Sequence, residues 1–316
     1  MRTVVLGGSG FLGSWVIRAL IAEGHRVVAL VRPTSRAWRI EGIPGLTMVA
    51  AGEDEWPSEI RRRAPESLVS LDWAGVASGH RNSEVQWGNL DRQRAIFGAA
   101  AEAGTRRYVG IGSQAEYGPR QDRISEAAET RPTTLYGEAK VAALSQLRDV
   151  AEERGTEWVW VRVFSLYGPM DNPGLLLTTI AEALLSGRDV KLSSGEQLWS
   201  YLYVSDAATA VALLTTNPDA GGVYNLGHPN APRLRDLIEE FATHFSTEGR
   251  LLFAETPSGG DTLTRLEPDM SRLLTLGWQP QTSDSSGLRT TAEWLRSLQV
   301  FDPFLNGREI PHAPRS

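Results

Sequence analysis

Tyr136-Gly137-Glu138-Ala139-Lys140 holds a phenol and an ammonium four residues apart, a spacing that places both on one face of a helix. A cation beside a phenol lowers the cost of forming a phenolate, so Tyr136 can exchange a proton with a substrate oxygen while Lys140 also reaches a nicotinamide ribose. The chain has only two lysines, Lys140 and Lys191, so a chance pairing is uncommon. The competing reading is an ordinary helix pair. Gly7-Gly8-Ser9-Gly10-Phe11-Leu12-Gly13 offers different chemistry. Gly7 permits a tight turn, Gly10 lets backbone approach a pyrophosphate that faces a helix N-terminus, and Gly13 allows close packing of helix on strand. Three glycines at this spacing are weak alone; their place between a first strand and a first helix gives them weight. A third signal is the polar cluster GIGSQAEYG at 110–118, but Tyr117 there has no lysine partner and Tyr136 does.

These residues need a scaffold that ends its strands at one edge. Short runs rich in Val, Ile and Leu occur at 2–6, 26–31, 46–50, 67–71, 107–111 and 158–163, separated by helical patterns. That alternation predicts an α/β fold, a doubly wound parallel sheet covered on both faces. Long helices are expected over 82–103 and 134–154, stopped by Gly104 and Gly155. Beyond Pro169 come shorter helical patterns at 175–186, 205–216, 233–245 and 286–299, read as a smaller lobe. The expected division is a dinucleotide-binding domain over 1–168 with 199–228 returning to it, a substrate lobe over 169–198 and 229–300, and a tail over 301–316. The second strand ends Leu30-Val31-Arg32, with Arg36 four residues on, where an NAD-preferring site would end in an acidic residue. An arginine there can pair with a 2′-phosphate, which points to NADP(H).

Composition removes several classes. With 316 residues, 41% hydrophobic and 22% charged, the chain has material for a large core. A net charge of −6 speaks against nucleic-acid binding, and Arg61-Arg62-Arg63 reads as a solvated helix face. There is no cysteine, hence no disulfide or thiolate metal site, and no metal is expected. The start MRTVVLGG lacks a signal-peptide core and no run reaches membrane-spanning length, so a cytoplasmic protein without membrane contact is expected.

With these motifs in place the chain resembles the extended short-chain dehydrogenase/reductases, the epimerase/dehydratase superfamily acting on sugar nucleotides. The resemblance spans nearly the whole chain: the glycine loop, Asn89, Ser113 ahead of Tyr117-Gly118, Tyr136-x-x-x-Lys140, Arg162-Val163-Phe164-x-x-Tyr167-Gly168-Pro169, Tyr203-Val204-x-Asp206 and Leu276-Gly277-Trp278. It implies that Ser113, Tyr136 and Lys140 are catalytic, Ser113 holding the substrate oxygen. It places Gly7, Ser9, Gly10, Phe11, Leu12, Gly13, Arg32, Arg36, Leu71, Trp73, Asn89, Tyr136 and Lys140 at the cofactor. Gln114, Glu116, Tyr117, Ser165, Lys191, Trp199 and Arg265 are the residues expected at the substrate, with Tyr117 and Gly118 shaping the loop and lining the sugar pocket.

The subclass rests on a few letters. Dehydratases of the family carry an Asp-Glu pair directly after the Ser or Thr; here Gln114-Ala115 stand there, and alanine can be neither acid nor base. Leu71-Asp72-Trp73-Ala74-Gly75, Arg81-Asn82, the 112–118 segment and Trp199-Ser200-Tyr201-Leu202-Tyr203-Val204 are similar to the reductases of nucleotide-linked 4-keto-6-deoxyhexoses. The implied function is NADPH-dependent reduction at C4, with a dTDP-linked sugar and a homodimer paired through the two long helices. A 4-epimerase is the alternative, and a non-catalytic NADP-sensing regulator a further one. Trp199-Ser200 replaces the Arg-Asp pair of many relatives, leaving Arg265 or Arg272 for the diphosphate, and Ser165 replaces an asparagine. His80 reads as a loop residue.

Overall fold

The computed structural model describes residues 1–76, 80–246, 248–255 and 265–299. Seven parallel strands form the central sheet: β1 (Arg2–Leu6), β2 (Arg26–Val31), β3 (Leu46–Ala50), β4 (Ser67–Ser70), β5 (Arg107–Ser113), β6 (Glu157–Val163) and, returning after the strand pieces described below, Gly222–Leu226. From one edge to the other the order is Gly222–Leu226, β6, β5, β4, β1, β2, β3. The strand order therefore reverses between β1 and β4, and the crevice beyond their carboxyl ends is where such sheets take ligands.

Helices α1 (Phe11–Ala22), α2 (Trp56–Arg63), α3 (Val85–Glu102) and α4 (Leu135–Arg154) connect the first six strands. Then come β7 (Ser165–Tyr167), α5 (Leu176–Leu185), β8 (Val190–Leu192), β9 (Leu198–Trp199), β10 (Tyr201–Tyr203), α6 (Val204–Thr216) and β11, the Gly222–Leu226 strand. The chain finishes with α7 (Leu234–Ala242), β12 (Leu251–Phe253), β13 (Arg265–Leu266), α8 (Ser271–Thr275) and α9 (Asp284–Gln299). Alternation along each strand sends its side chains to opposite faces. Val5 joins Val16, Ile17, Leu20 and Val211 under α1 and α6. Val4 and Leu6 join Trp56, Ile96, Phe97, Leu144 and Trp160 under α2, α3 and α4. A separate core of Leu177, Ile180, Leu237, Ile238, Phe241 and Leu288 holds α5, α7 and α9 together.

The two long helices begin and stop for local reasons. Thr134 is extended at the N-cap of α4 and accepts a hydrogen bond from the Gly137 amide at 3.2 Å, while Asn82 accepts one from Leu135. Gly155, at φ +68°, and Gly104, at φ +72°, end α4 and α3 in the left-handed conformation. Several boundaries differ from the sequence reading: α3 begins at Val85 where 82 was expected, and β6 begins at Glu157, one residue early. β4 stops at Ser70, one residue short, and β5 runs on through Gly112 to Ser113 because it pairs with β6 in register over its whole length. Ser113 is thus the last residue of a central strand. The expected tail over 301–316 lies outside the described residues. Among the described residues, no helix is long and apolar enough to cross a membrane.

Candidate active site

The glycine loop sits at the carboxyl end of β1 and presses against the end of β4. Gly7 has φ +73°, and a Cβ there would stand 2.7 Å from the backbone of Leu71 and Asp72, so two strand ends can approach only at glycine. The Gly10 amide donates to the Gly7 carbonyl, leaving the first turn of α1 facing the crevice. A cavity of about 470 Å³ opens there, lined by Gly7, Gly10, Phe11, Leu12, Gly13, Leu71, Trp73, Ser113, Gln114, Tyr136, Lys140 and Ser165, among others. A second cleft of about 340 Å³ continues from Gly7, Gly10, Leu71 and Trp73 to Ser9, Arg32, Thr34, Ser35 and Arg36. A glycine turn, a free helix N-terminus and flanking hydroxyls and guanidinium groups fit a dinucleotide laid across the switch point.

Ser113, Tyr136 and Lys140 converge on the larger cavity. Tyr136 is 6% exposed and Lys140 4%. Burial raises the Tyr136 phenol above its usual range, while a hydrogen bond with Ser113 and the charge of Arg81 pull it back. The Lys140 ammonium donates to the Ile111 carbonyl at 2.6 Å and lies 3.7 Å from the Trp73 ring centroid. Burial lowers its pKa, and the carboxylates of Glu116 and Asp72 oppose that fall. Together these groups can hold a carbonyl oxygen at Ser113 and give it a proton from Tyr136, in a site where a neighbouring cation stabilises the phenolate left behind.

Several expected ligands have other work. Asn89 does not reach the cavity: its Oδ1 accepts from the Ala74 amide at 2.9 Å and its Nδ2 donates to the Ala74 carbonyl at 2.8 Å, fixing the segment that carries Trp73. Glu116 and Tyr117 are both fully buried, which corrects their expected contact with substrate. The 3-10 turn Gln114–Glu116 rolls them beneath the strand ends. Glu116 pairs with Arg162 at 2.7 Å, and the Tyr117 hydroxyl donates to Asn225 Oδ1 at 2.7 Å, with burial pushing its pKa up to about 12. Trp199 stands one layer back, its Nε1 donating to Ser165 Oγ at 2.8 Å, so Ser165 faces the cavity and Trp199 orients it. Lys191 is exposed on β8, and Arg265 is paired with Glu267, neither lining the cavity. Arg272 donates to the Val223 and Gly221 carbonyls and is held at the sheet edge. The His80 side chain is exposed, and its carbonyl accepts from Gln86.

The sequence reading missed three groups. Arg81 lines the cavity with its guanidinium 5.6 Å from the Tyr136 ring centroid, and its carbonyl accepts the Tyr136 amide. Asp171 and Tyr201 line the far side. No spacing rule joins Arg81 to Tyr136; only the return of the chain through β5 does.

Residues 3–227 match the NAD dependent epimerase/dehydratase family, and the chain belongs to it. The class is thus a Rossmann-type sheet carrying the Ser, Tyr and Lys set at its switch point. The chain is 27% identical to the UDP-glucose 4-epimerase of Azospirillum brasilense over 94% of its own length and 93% of that protein's. It is 24% identical to the dTDP-D-glucose 4,6-dehydratase of Mus musculus, covering 93% and 88%. In fold it is similar to the UDP-N-acetylglucosamine 4-epimerase of Methanobrevibacter ruminantium in complex with UDP-N-acetylmuramic acid, with TM-score 0.84, 20% identity and coverage of 94% and 98%.

Asp171 gives the site a pH signature. Its carboxyl is buried, and that burial raises its pKa from 3.8 to about 7, the Asn172 amide and the Arg39 charge compensating only partly. Between those two values the folded protein holds a proton that the unfolded chain has lost, so this group weakens the fold as pH rises. Asp171→Asn keeps an acceptor for the Asn172 amide. It is expected to stabilise the protein at pH 8 by on the order of 2–4 kcal/mol and to give no gain near pH 3, below the unfolded value. Thermal unfolding of both proteins across that range checks this, and an equal effect at both pH values would refute it.

Proposed function

We propose that this protein reduces the C4 keto group of a nucleotide-linked 4-keto-6-deoxyhexose, dTDP-linked by preference, using NADPH. The reading is supported above all by one observation. Ser113, Tyr136 and Lys140 meet at the cavity, while Gln114, and not an acid or a base, faces it at the turn after Ser113. The nicotinamide, when bound, supplies the hydride that reaches C4. Ser113 hydrogen-bonds the carbonyl oxygen, Tyr136 gives that oxygen a proton, and Lys140 offsets the charge that remains on the phenolate until solvent returns the proton. The carboxylate that adjoins Ser113, Glu116, is buried and paired with Arg162, so no carboxylic acid at that turn faces the cavity to drive loss of the C6 hydroxyl. Nucleotide-sugar handling accords with the relatives, whose names are those of nucleotide-sugar epimerases and dehydratases.

The second reading is a 4-epimerase, favoured by the 27% identical relative of that name. The two differ in stoichiometry. The reductase is expected to oxidise one NADPH for each 4-hydroxy sugar formed and to leave dTDP-glucose unchanged. Tyr136→Phe should lower turnover by about 10²–10⁴-fold with cofactor still bound, whereas Lys140→Ala should damage both turnover and cofactor affinity. Absorbance of NADPH with product analysis reads this. Interconversion of 4-hydroxy sugars without net NADPH use would establish the epimerase instead.

Arg32 and Arg36 share the smaller cleft, and we assign the 2′-phosphate to them. Arg32 is anchored by Glu53 at 2.8 Å and is 43% exposed, so it is oriented without being sealed from solvent. Arg32→Ala should raise the Michaelis constant for NADPH about tenfold to a hundredfold and leave NADH nearly unaffected. Steady-state kinetics with both cofactors decide it; equal losses would remove the assignment.

A homodimer through α3 and α4 completes the proposal. Val85 is 41% exposed and Trp87 37% at the start of α3, apolar surface that a partner would cover. Light scattering at micromolar concentration is expected to give twice the chain mass, and a monomer mass would overturn this point.

A further inference from the structure

We infer that Glu116 is a positioning residue that fixes the Ser113 backbone and, across the Trp160 ring that it holds at 3.0 Å and that lies 6.0 Å from Lys140 Nζ, presents negative charge to Lys140 from beneath the site, without touching substrate. This rests on the Tyr136 and Lys140 reading above, but its test does not depend on turnover.

Glu116 is fully buried, yet one of its oxygens reaches the strand end that carries Ser113. Its Oε1 accepts the Ser113 amide at 2.9 Å and Trp160 Nε1 at 3.0 Å; its Oε2 accepts Arg162 Nε at 2.7 Å. The first bond closes a capping box with Ser113, whose Oγ in turn accepts the Ala115 amide. Ser113 is therefore clamped at its backbone by Glu116, and its hydroxyl is set at a fixed place on the strand end. Arg162 cannot be the purpose of the pair. Its guanidinium lies 4.4 Å from the Tyr117 ring centroid, deep below the cavity, and a buried ion pair is by itself a weak source of stability.

The same carboxylate bears on Lys140. The charged and titratable groups around that ammonium come from four directions: Glu116 on the turn after β5, Asp72 after β4, Tyr136 one turn earlier on α4, and Arg81 beyond the Tyr136 ring. Arg92 pairs with Asp72 and Arg162 with Glu116, so each carboxylate reaches Lys140 with an arginine behind it. The uncharged faces are Trp73, at 3.7 Å, and Trp160, at 6.0 Å from ring centroid to Nζ. Burial works against the ammonium, and Glu116 is the first of the charges that hold it up. Neutralising Glu116 must then lower the pH at which Lys140 loses its proton.

Because Lys140 and Lys191 are the only lysines, protein labelled with 13C at lysine Cε gives two side-chain signals, and Lys191→Arg assigns them. The cofactor-free protein is titrated. In Glu116→Gln the Lys140 midpoint is expected to fall by at least about half a pH unit. Tyr117→Phe disturbs the same buried cluster by cutting the Asn225 bond without changing charge, and should leave the midpoint in place. If Glu116→Gln does not fold, the double variant Glu116→Gln/Arg162→Met removes both charges together, which buried pairs tolerate better, and should still lower the midpoint. An unmoved Lys140 midpoint in the Glu116 variants, or an equal shift in Tyr117→Phe, would overturn the inference. Absence of NADPH oxidation by the unaltered protein, with the titration shift intact, would instead count against the reductase assignment alone.

Discussion

An ammonium taken out of water is the constraint around which this site is built. Lys140 is 4% exposed, and an isolated buried charge of that kind is costly unless donors, rings and counter-charges surround it. The fold answers from two adjacent strand ends at once. Ile111 on β5 gives a carbonyl, Trp73 after β4 gives a ring face, and Glu116 and Asp72 give negative charge. Parallel strands deliver these groups to one edge, and the reversal of order at β1 and β4 opens the space they share.

From Lys140 the charges run outward in a chain. Asp72 accepts Arg92 Nε at 2.9 Å, Arg92 also binds Glu53 at 2.8 Å, and Glu53 holds Arg32 at 2.8 Å. Asp72 is 6% exposed and Arg32 43%, so the network starts in the core and ends at the mouth of the smaller cleft. The residue read from sequence as a bare arginine at a strand end is thus held in a preset direction by an acid from the next strand connection. Desolvation raises the Asp72 carboxyl above its ordinary value while Arg92 opposes the rise.

Much of this was legible in the sequence, for reasons that name its limits. The glycine loop and Tyr136-x-x-x-Lys140 are local: one turn or one helix face fixes the relation between their members, and the structure places them together. The strands at 2–6, 26–31 and 46–50 have the bounds read from their apolar runs: the first two are buried along most of their length, and the third, half exposed at the sheet edge, is fixed by its register with β2. Reading failed where a turn decides direction. Nothing in Gln114-Ala115-Glu116-Tyr117 says that the first side chain faces the cavity and the last two face the core. That follows from the 3-10 turn and from Arg162 and Asn225, 46 and 108 residues away. Asn89, expected at the cofactor, turns its amide to the Ala74 backbone, a bond that no local pattern announces.

The substrate side depends on the cofactor side through one loop. Arg39 donates to the Met170 carbonyl and to Asn172 Oδ1, both at 2.9 Å, and also to the Ser9 carbonyl of the glycine loop at 3.4 Å. Trp15 on α1 donates to the Pro169 carbonyl at 3.2 Å. Met170 sits at φ +69°, a conformation that costs a non-glycine residue about 1–2 kcal/mol, so the loop holds a shape it would not keep alone. The contacts that maintain it come from Trp15 on α1 and from Arg39 on the connection between β2 and β3. Asp171 lies within this loop, between the two residues that Arg39 binds, so a single guanidinium ties the Ser9 carbonyl of the glycine loop to the wall of the cavity that carries Asp171.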